Sequence, residues 1–235
     1  RIVGIPPQKP FLDQMENLIA SGLAEDAARV AMQNPRFYSL QLKRWAKPWS
    51  NEDQSERVEL NDFVALIIGA IRDDIRFDRI LYDDIAYSGP DNLYDNDNDD
   101  FREERNNHFS KMENEDRNLM NLLVQRTQSE RYTSVQEHAG IFTTRAYGNA
   151  FYNGGTNRAV TRFTFINFLC RDFEELHDIT VPDFRVRRDV ERSPGGDSRV
   201  YRNKCVGCHA GQDALGGAFV RMDWDGNNLV QVNNV

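Results

Sequence analysis

Cysteine is scarce in this chain: of 235 residues only three carry a thiol, Cys170, Cys205 and Cys208. So few thiols exclude the disulfide framework that staples small secreted domains. Histidine is as sparse, with four, so few imidazoles are on hand to serve a metal. Basic charge is in deficit, 29 Lys and Arg against 37 Asp and Glu, for a net charge of −8. A phosphate backbone would be repelled, and nucleic acid is excluded as a partner. No run approaches the roughly 20 apolar residues that cross a bilayer, so no transmembrane segment is expected. The chain opens at Arg1 without a charged-then-apolar leader. Any export signal is therefore expected to have been removed or to lie outside this sequence.

The length suits one large domain or two small ones, each with chain enough for a core. Residues 1–10 carry three prolines and no period, and read as an extended arm. Apolar positions then recur at helical spacing: Phe11, Leu12, Met15, Leu18 and Ile19 before Ser21-Gly22, and Leu23, Ala27, Val30 and Ala31 before Asn34-Pro35. A third helix is predicted with Phe37, Leu40, Gln41 and Trp45 on one side and Pro48 closing it. A fourth, capped by Asn61-Asp62, holds Phe63, Val64, Ile67, Ala70 and Ile71; a fifth spans 77–85. The fold class expected is mainly α, a helical bundle of short helices with a C-terminal cofactor-binding region.

Between about 89 and 117 the chain turns acidic, through Asp95-Asn96-Asp97-Asn98-Asp99-Asp100 and Glu113-Asn114-Glu115-Asp116. This reads as a solvated loop. A calcium loop is the sharper alternative, since Asp95, Asp97 and Asp99 fall at its first, third and fifth ligand positions. Asp100 stands where that loop needs Gly, and Asn106 where it needs a bidentate Glu. The organisation expected is a helical domain over 1–90, an acidic linker over 91–117 and a helical domain over 118–235. Within the last, Val160, Phe163, Ile166 and Leu169 mark what reads as the most apolar helix, and Cys170 beside it reads as a buried, inert thiol. The Arg-rich stretch 185–204 reads either as a solvated connector or as a set of cations that pair the carboxylates of a cofactor or dock a partner.

Chemistry enters with Cys205-Val206-Gly207-Cys208-His209. The pattern C-x-x-C-H attaches a c-type haem. On a helix, positions i, i+3 and i+4 share a face, so both thiols would form thioethers to one porphyrin while His209 ligates its iron. A redox dithiol and half of a zinc site are the rivals. The dithiol follows a strand in a βαβ unit, whereas the residues before Cys205 are polar and helix-compatible. The zinc site would need Cys170 and a distant His. One covalent haem c is the cofactor expected, and because such haems are attached outside the bacterial cytoplasm, a periplasmic or extracellular protein is expected with it.

Only a short tail follows His209 in this sequence, so a sixth iron ligand is expected from upstream or from close by. Met222, or an imidazole from His138, His177 or His108 upstream, remains, as does an open site. An electron-transfer protein with redox protein partners is the leading expectation. A haem enzyme, peroxidase-like or oxygen-handling with an open distal side, and a structural subunit of a larger cytochrome assembly are the alternatives.

Three stretches together resemble the cytochrome-like families of unknown function often called planctomycete-type cytochrome proteins. They are Glu137-His138-Ala139-Gly140-Ile141-Phe142-Thr143-Thr144, then Thr156-Asn157-Arg158-Ala159 leading to Phe168-Leu169-Cys170, and then the haem motif running on to Asp213-Ala214-Leu215-Gly216. The first half is similar to their helical companion domain, through Met32-Gln33-Asn34-Pro35-Arg36-Phe37 and Phe77-Asp78-Arg79-Ile80-Leu81. The resemblance implies an exported, largely helical monohaem protein, and it raises His138 above the other imidazoles as distal ligand. Ala214 departs from the family's Pro, and Gln212 stands where a Met is frequent, which removes one sulfur donor.

Overall fold

The computed structural model describes residues 2–90, 93, 106–130, 132, 134–152, 158–172, 175, 180 and 191–232. The protein is mainly helical. It forms two compact units, one of residues 1–133 with 137–142 and the other of 134–136 with 143–235. Among the described residues no helix is long and apolar enough to cross a membrane.

The first unit is built on α4, Asp62–Arg72, in which every residue from Asp62 to Ala70 is buried. Asn61 starts it as the sequence predicts, accepting a hydrogen bond from the Val64 N–H at 3.0 Å. Before it come α1, Lys9–Ala20, and α2, Ala24–Met32, packed against each other. The third predicted helix is a composite: a π-helical turn at Phe37–Leu42, α3 at Lys43–Ala46, and a 3-10 turn at Lys47–Ser50 that runs through Pro48. The π turn winds wider than 3.6 residues and rotates the buried face. Tyr38, Leu42 and Ala46 lie inside with Phe37, while Leu40 and Trp45 are exposed. Pro48 does not close the helix, because at the start of a turn its missing N–H is not needed.

The fifth predicted helix is only a 3-10 turn, Phe77–Leu81. Beyond it tertiary bonds take over. The Asp83 carbonyl accepts from the Gly140 N–H at 2.8 Å, and the Asp84 carboxylate accepts from the Gln128 and Ser129 N–H groups at 2.7 and 3.0 Å. The chain then enters β1, Ala86–Ser88, which pairs antiparallel with β2, Val124–Arg126. That ladder draws residues 118–133, grouped by sequence with the C-terminal domain, into the first unit. Gly69 lets α4 lie on β1, since a Cβ there would sit 2.2 Å from the Tyr87 ring.

Asp95–Asp100 lie outside the described residues; the end of the acidic segment is helical. It forms α5, Asn107–Asn114, which buries His108, Phe109 and Met112. Glu113 accepts from Lys43 Nζ, Lys47 Nζ and the Leu60 N–H at 2.8, 2.7 and 2.7 Å. These distant cations neutralise a charge that looks solvated in local sequence. The short α6, Leu119–Leu122, follows; the Leu123 carbonyl beyond it accepts from Arg72 at 2.5 Å.

The second unit opens with α7, Arg145–Tyr147, capped by Thr144, and a π turn over Gly148–Tyr152. Then comes α8, Arg158–Leu169. Its core is aromatic: Tyr147 meets Phe151 at 4.5 Å, and Phe151 meets Phe163 at 4.8 Å between ring centres. α8 is less buried than α4, with Leu169 56% exposed. Cys170 is exposed and not the buried thiol expected, because the chain leaves the helix there at a left-handed φ of +54°. Helices α9, Ser198–Lys204, and α10, Val206–Gly216, lead to a hairpin of β3, Met222–Trp224, and β4, Leu229–Gln231. The Gln136 N–H donates to Gln231 Oε1 at 2.8 Å, tying residues 134–136 to this hairpin.

Candidate haem-attachment site

Asp197 caps α9 by accepting from the Arg199 N–H at 2.9 Å. Cys205 ends that helix and begins the next. Its N–H donates to the Tyr201 carbonyl at 2.9 Å, and its own carbonyl accepts from the Cys208 and His209 N–H groups at 3.2 and 3.0 Å. The motif is thus one turn of backbone, with Cys208 and His209 in the first turn of α10. Cys205 and Cys208 are both reduced and both half-buried.

The His209 side chain is 19% exposed. Its Nδ1 lies 2.8 Å from Arg158 Nε on α8 and 3.5 Å from Asp213 Oδ1 one helical turn on. Among the described residues no hydrogen bond engages its Nε2. The donor set therefore fits a c-type haem: two thiols at the attaching spacing and a ring nitrogen that no hydrogen bond among the described residues engages.

Behind the imidazole lies a buried polar cluster. Asp213 is fully buried, with Oδ1 3.0 Å from Arg158 Nε and Oδ2 2.9 Å from an Arg192 terminal nitrogen. Burial alone would raise the Asp213 carboxyl. Hydrogen bonds from His209 and Arg192 and the charge of Arg158 outweigh it and hold the group below the usual carboxylate range. Arg192 also donates to the Tyr201 hydroxyl and lies 4.4 Å over that ring, whose centre is 5.8 Å from the His209 ring. Of the Arg-rich stretch, Arg192 is thus a carboxylate partner, Arg199 pairs with Asp197 at the surface, and Arg185, Arg187 and Arg188 lie outside the described residues. Sequence reasoning gave Arg158 and Asp213 no role. The signal available was an Asp four residues after the motif histidine, on its face of the helix.

The candidates for the distal side are spread more widely. Met222 opens β3 in the same unit, opposite Gln231. His138 belongs to the first unit, half-buried, its Nδ1 buried with no hydrogen-bond partner among the described residues. Burial lowers its pKa, opposed by the charge of Asp84. His108 is buried in α5 against Phe109, and His177 lies outside the described residues. Among the described residues no three His, Cys, Asp or Glu side chains converge on a bare metal ion, which leaves the zinc alternative without a ligand set there. No family model, curated protein or solved structure matches this chain.

Proposed function

We propose that the second unit is a c-type cytochrome domain that carries one haem and transfers single electrons to protein partners outside the cytoplasm. Cys205 and Cys208 would supply the two thioether bonds, and His209 Nε2 the axial nitrogen. The observation that carries this reading is the C-x-x-C-H turn at the start of α10, which puts Cys205, Cys208 and His209 in one turn of backbone, with no hydrogen bond among the described residues engaging Nε2 of His209. A haem held there supplies a one-electron Fe(III)/Fe(II) couple. The protein's part would be to anchor the ring through Cys205 and Cys208 and to offer the His209 nitrogen to its iron. The resemblance to planctomycete-type cytochromes supports the same reading, and implies an exported protein with His138 as distal ligand; Met222 is the second choice, for its closeness to His209 in the sequence.

The deciding experiment is expression in a host with a haem-attachment pathway, followed by mass spectrometry and absorption under denaturing conditions. The chain should gain the mass of one haem and keep its Soret band when unfolded. Cys205→Ser or Cys208→Ser should leave a single thioether and shift the band of the reduced pyridine complex to longer wavelength. A denatured chain at its bare polypeptide mass, without colour, overturns the proposal. Carbon monoxide then reports the distal side: a reduced spectrum indifferent to the gas fits a six-coordinate electron carrier, and ready binding fits the open site of an enzyme. If His138 is the sixth ligand, His138→Ala should convert the first behaviour into the second.

A further inference from the structure

The cluster behind His209 offers one ring nitrogen two opposite partners. Arg158 Nε, 2.8 Å from Nδ1, can only donate; Asp213 Oδ1, 3.5 Å from Nδ1, can only accept while ionised. The two competitors also bond to each other, at 3.0 Å. A neutral imidazole carries one N–H. When Arg158 donates to Nδ1, the proton must sit on Nε2, and that nitrogen has no lone pair for a metal. When Nδ1 instead donates to Asp213, the Nε2 lone pair is free.

Asp213 does not depend on Arg158 to stay in place. Arg192 holds its other oxygen at 2.9 Å, and the side chain is fully buried where water cannot compete. Arg158 and Arg192 are nearly buried too, 13% and 12% exposed, so this is a packed arrangement and not a surface ion pair.

The geometry points to Asp213 as the positioning residue of His209: when Nε2 serves as a ligand, Asp213 accepts the Nδ1 proton, while Arg158 is the competing donor that favours the opposite tautomer in the chain without haem. The purpose of this device rests on the haem reading, but the tautomer choice itself does not. A carboxylate that accepts from an axial imidazole makes the ring a stronger electron donor, which favours the oxidised iron.

Two measurements on the 235-residue chain test the role. In haem-loaded protein, Asp213→Asn should raise the midpoint potential, and Asp213→Glu should bring it back toward the parent value. An unchanged potential in Asp213→Asn overturns the proposal. In chain produced without haem, nitrogen NMR of the His209 ring should show the proton on Nε2 in the parent and on Nδ1 in Arg158→Met, a preference lost when Asp213→Asn is added. A ring that keeps its Nε2 proton in Arg158→Met overturns it as well. Should the parent take up no haem, the electron-transfer reading falls, while the tautomer measurement still decides what Asp213 does.

Discussion

Glu113 is a carboxylate with three donors, from Lys43, Lys47 and the Leu60 backbone, on a side chain only 20% exposed. Burial would raise its pKa, but these bonds outweigh burial and hold it below its ordinary 4.5. A folded-state value below the unfolded one means that its stabilising contribution is present above the unfolded pKa and is lost as pH falls through the folded one. Glu113→Gln should therefore cost about 2 kcal/mol at neutral pH and less in acid, read by urea unfolding at the two conditions. Little of this is legible locally, because one partner lies 66 positions away. Gly140 is a second residue whose reason is tertiary. Its φ is +48°, and a Cβ there would fall 1.9 Å from the Ile80 carbonyl oxygen. Gly140→Ala should lower stability by about 3 kcal/mol, seen as a shifted denaturant midpoint without a change of slope. The C-x-x-C-H turn itself was fully legible, since its three side chains lie within one turn of chain. Asp213, Arg158 and Arg192 were not, since α8, α10 and the segment before α9 meet only in the folded unit.

Helices with a clean 3.6-residue period were read correctly from sequence, and α4 is the strongest instance, with both its cap and its apolar run visible. Leu66 is wholly buried within it. Leu66→Ala should cost about 3 kcal/mol, and Asn61→Ala about 1 kcal/mol, both measurable by urea or thermal unfolding of the whole chain. Elements that the sequence misassigned share a physical cause. Strands of three residues, such as β1 and β3, are too short to show an alternating pattern. The Phe37–Leu42 turn breaks the helical period it would be recognised by. At Cys170, apolar neighbours suggested burial, but the helix ends there in a left-handed conformation and the thiol is exposed, as is Leu169 beside it.

The class of fold, mainly helical, was legible for the molecule as a whole, while its division was not. Sequence composition marks the acidic stretch near residue 95 as a boundary, yet the units exchange chain later, at 134–136 and 137–142. The returning segment is bound into the first unit: the Gly140 N–H donates to the Asp83 carbonyl at 2.8 Å, and the Gly140 carbonyl accepts from buried Gln128 at 2.7 Å. A chain ended after Thr133 should accordingly be less stable than one ended after Phe142, by about 2 kcal/mol, in side-by-side urea titrations. Synthesis delivers residues in order, at about 5–20 per second. The N-terminal unit therefore stays open after its own long stretch has left the ribosome, and closes only once the opening residues of its successor have already emerged.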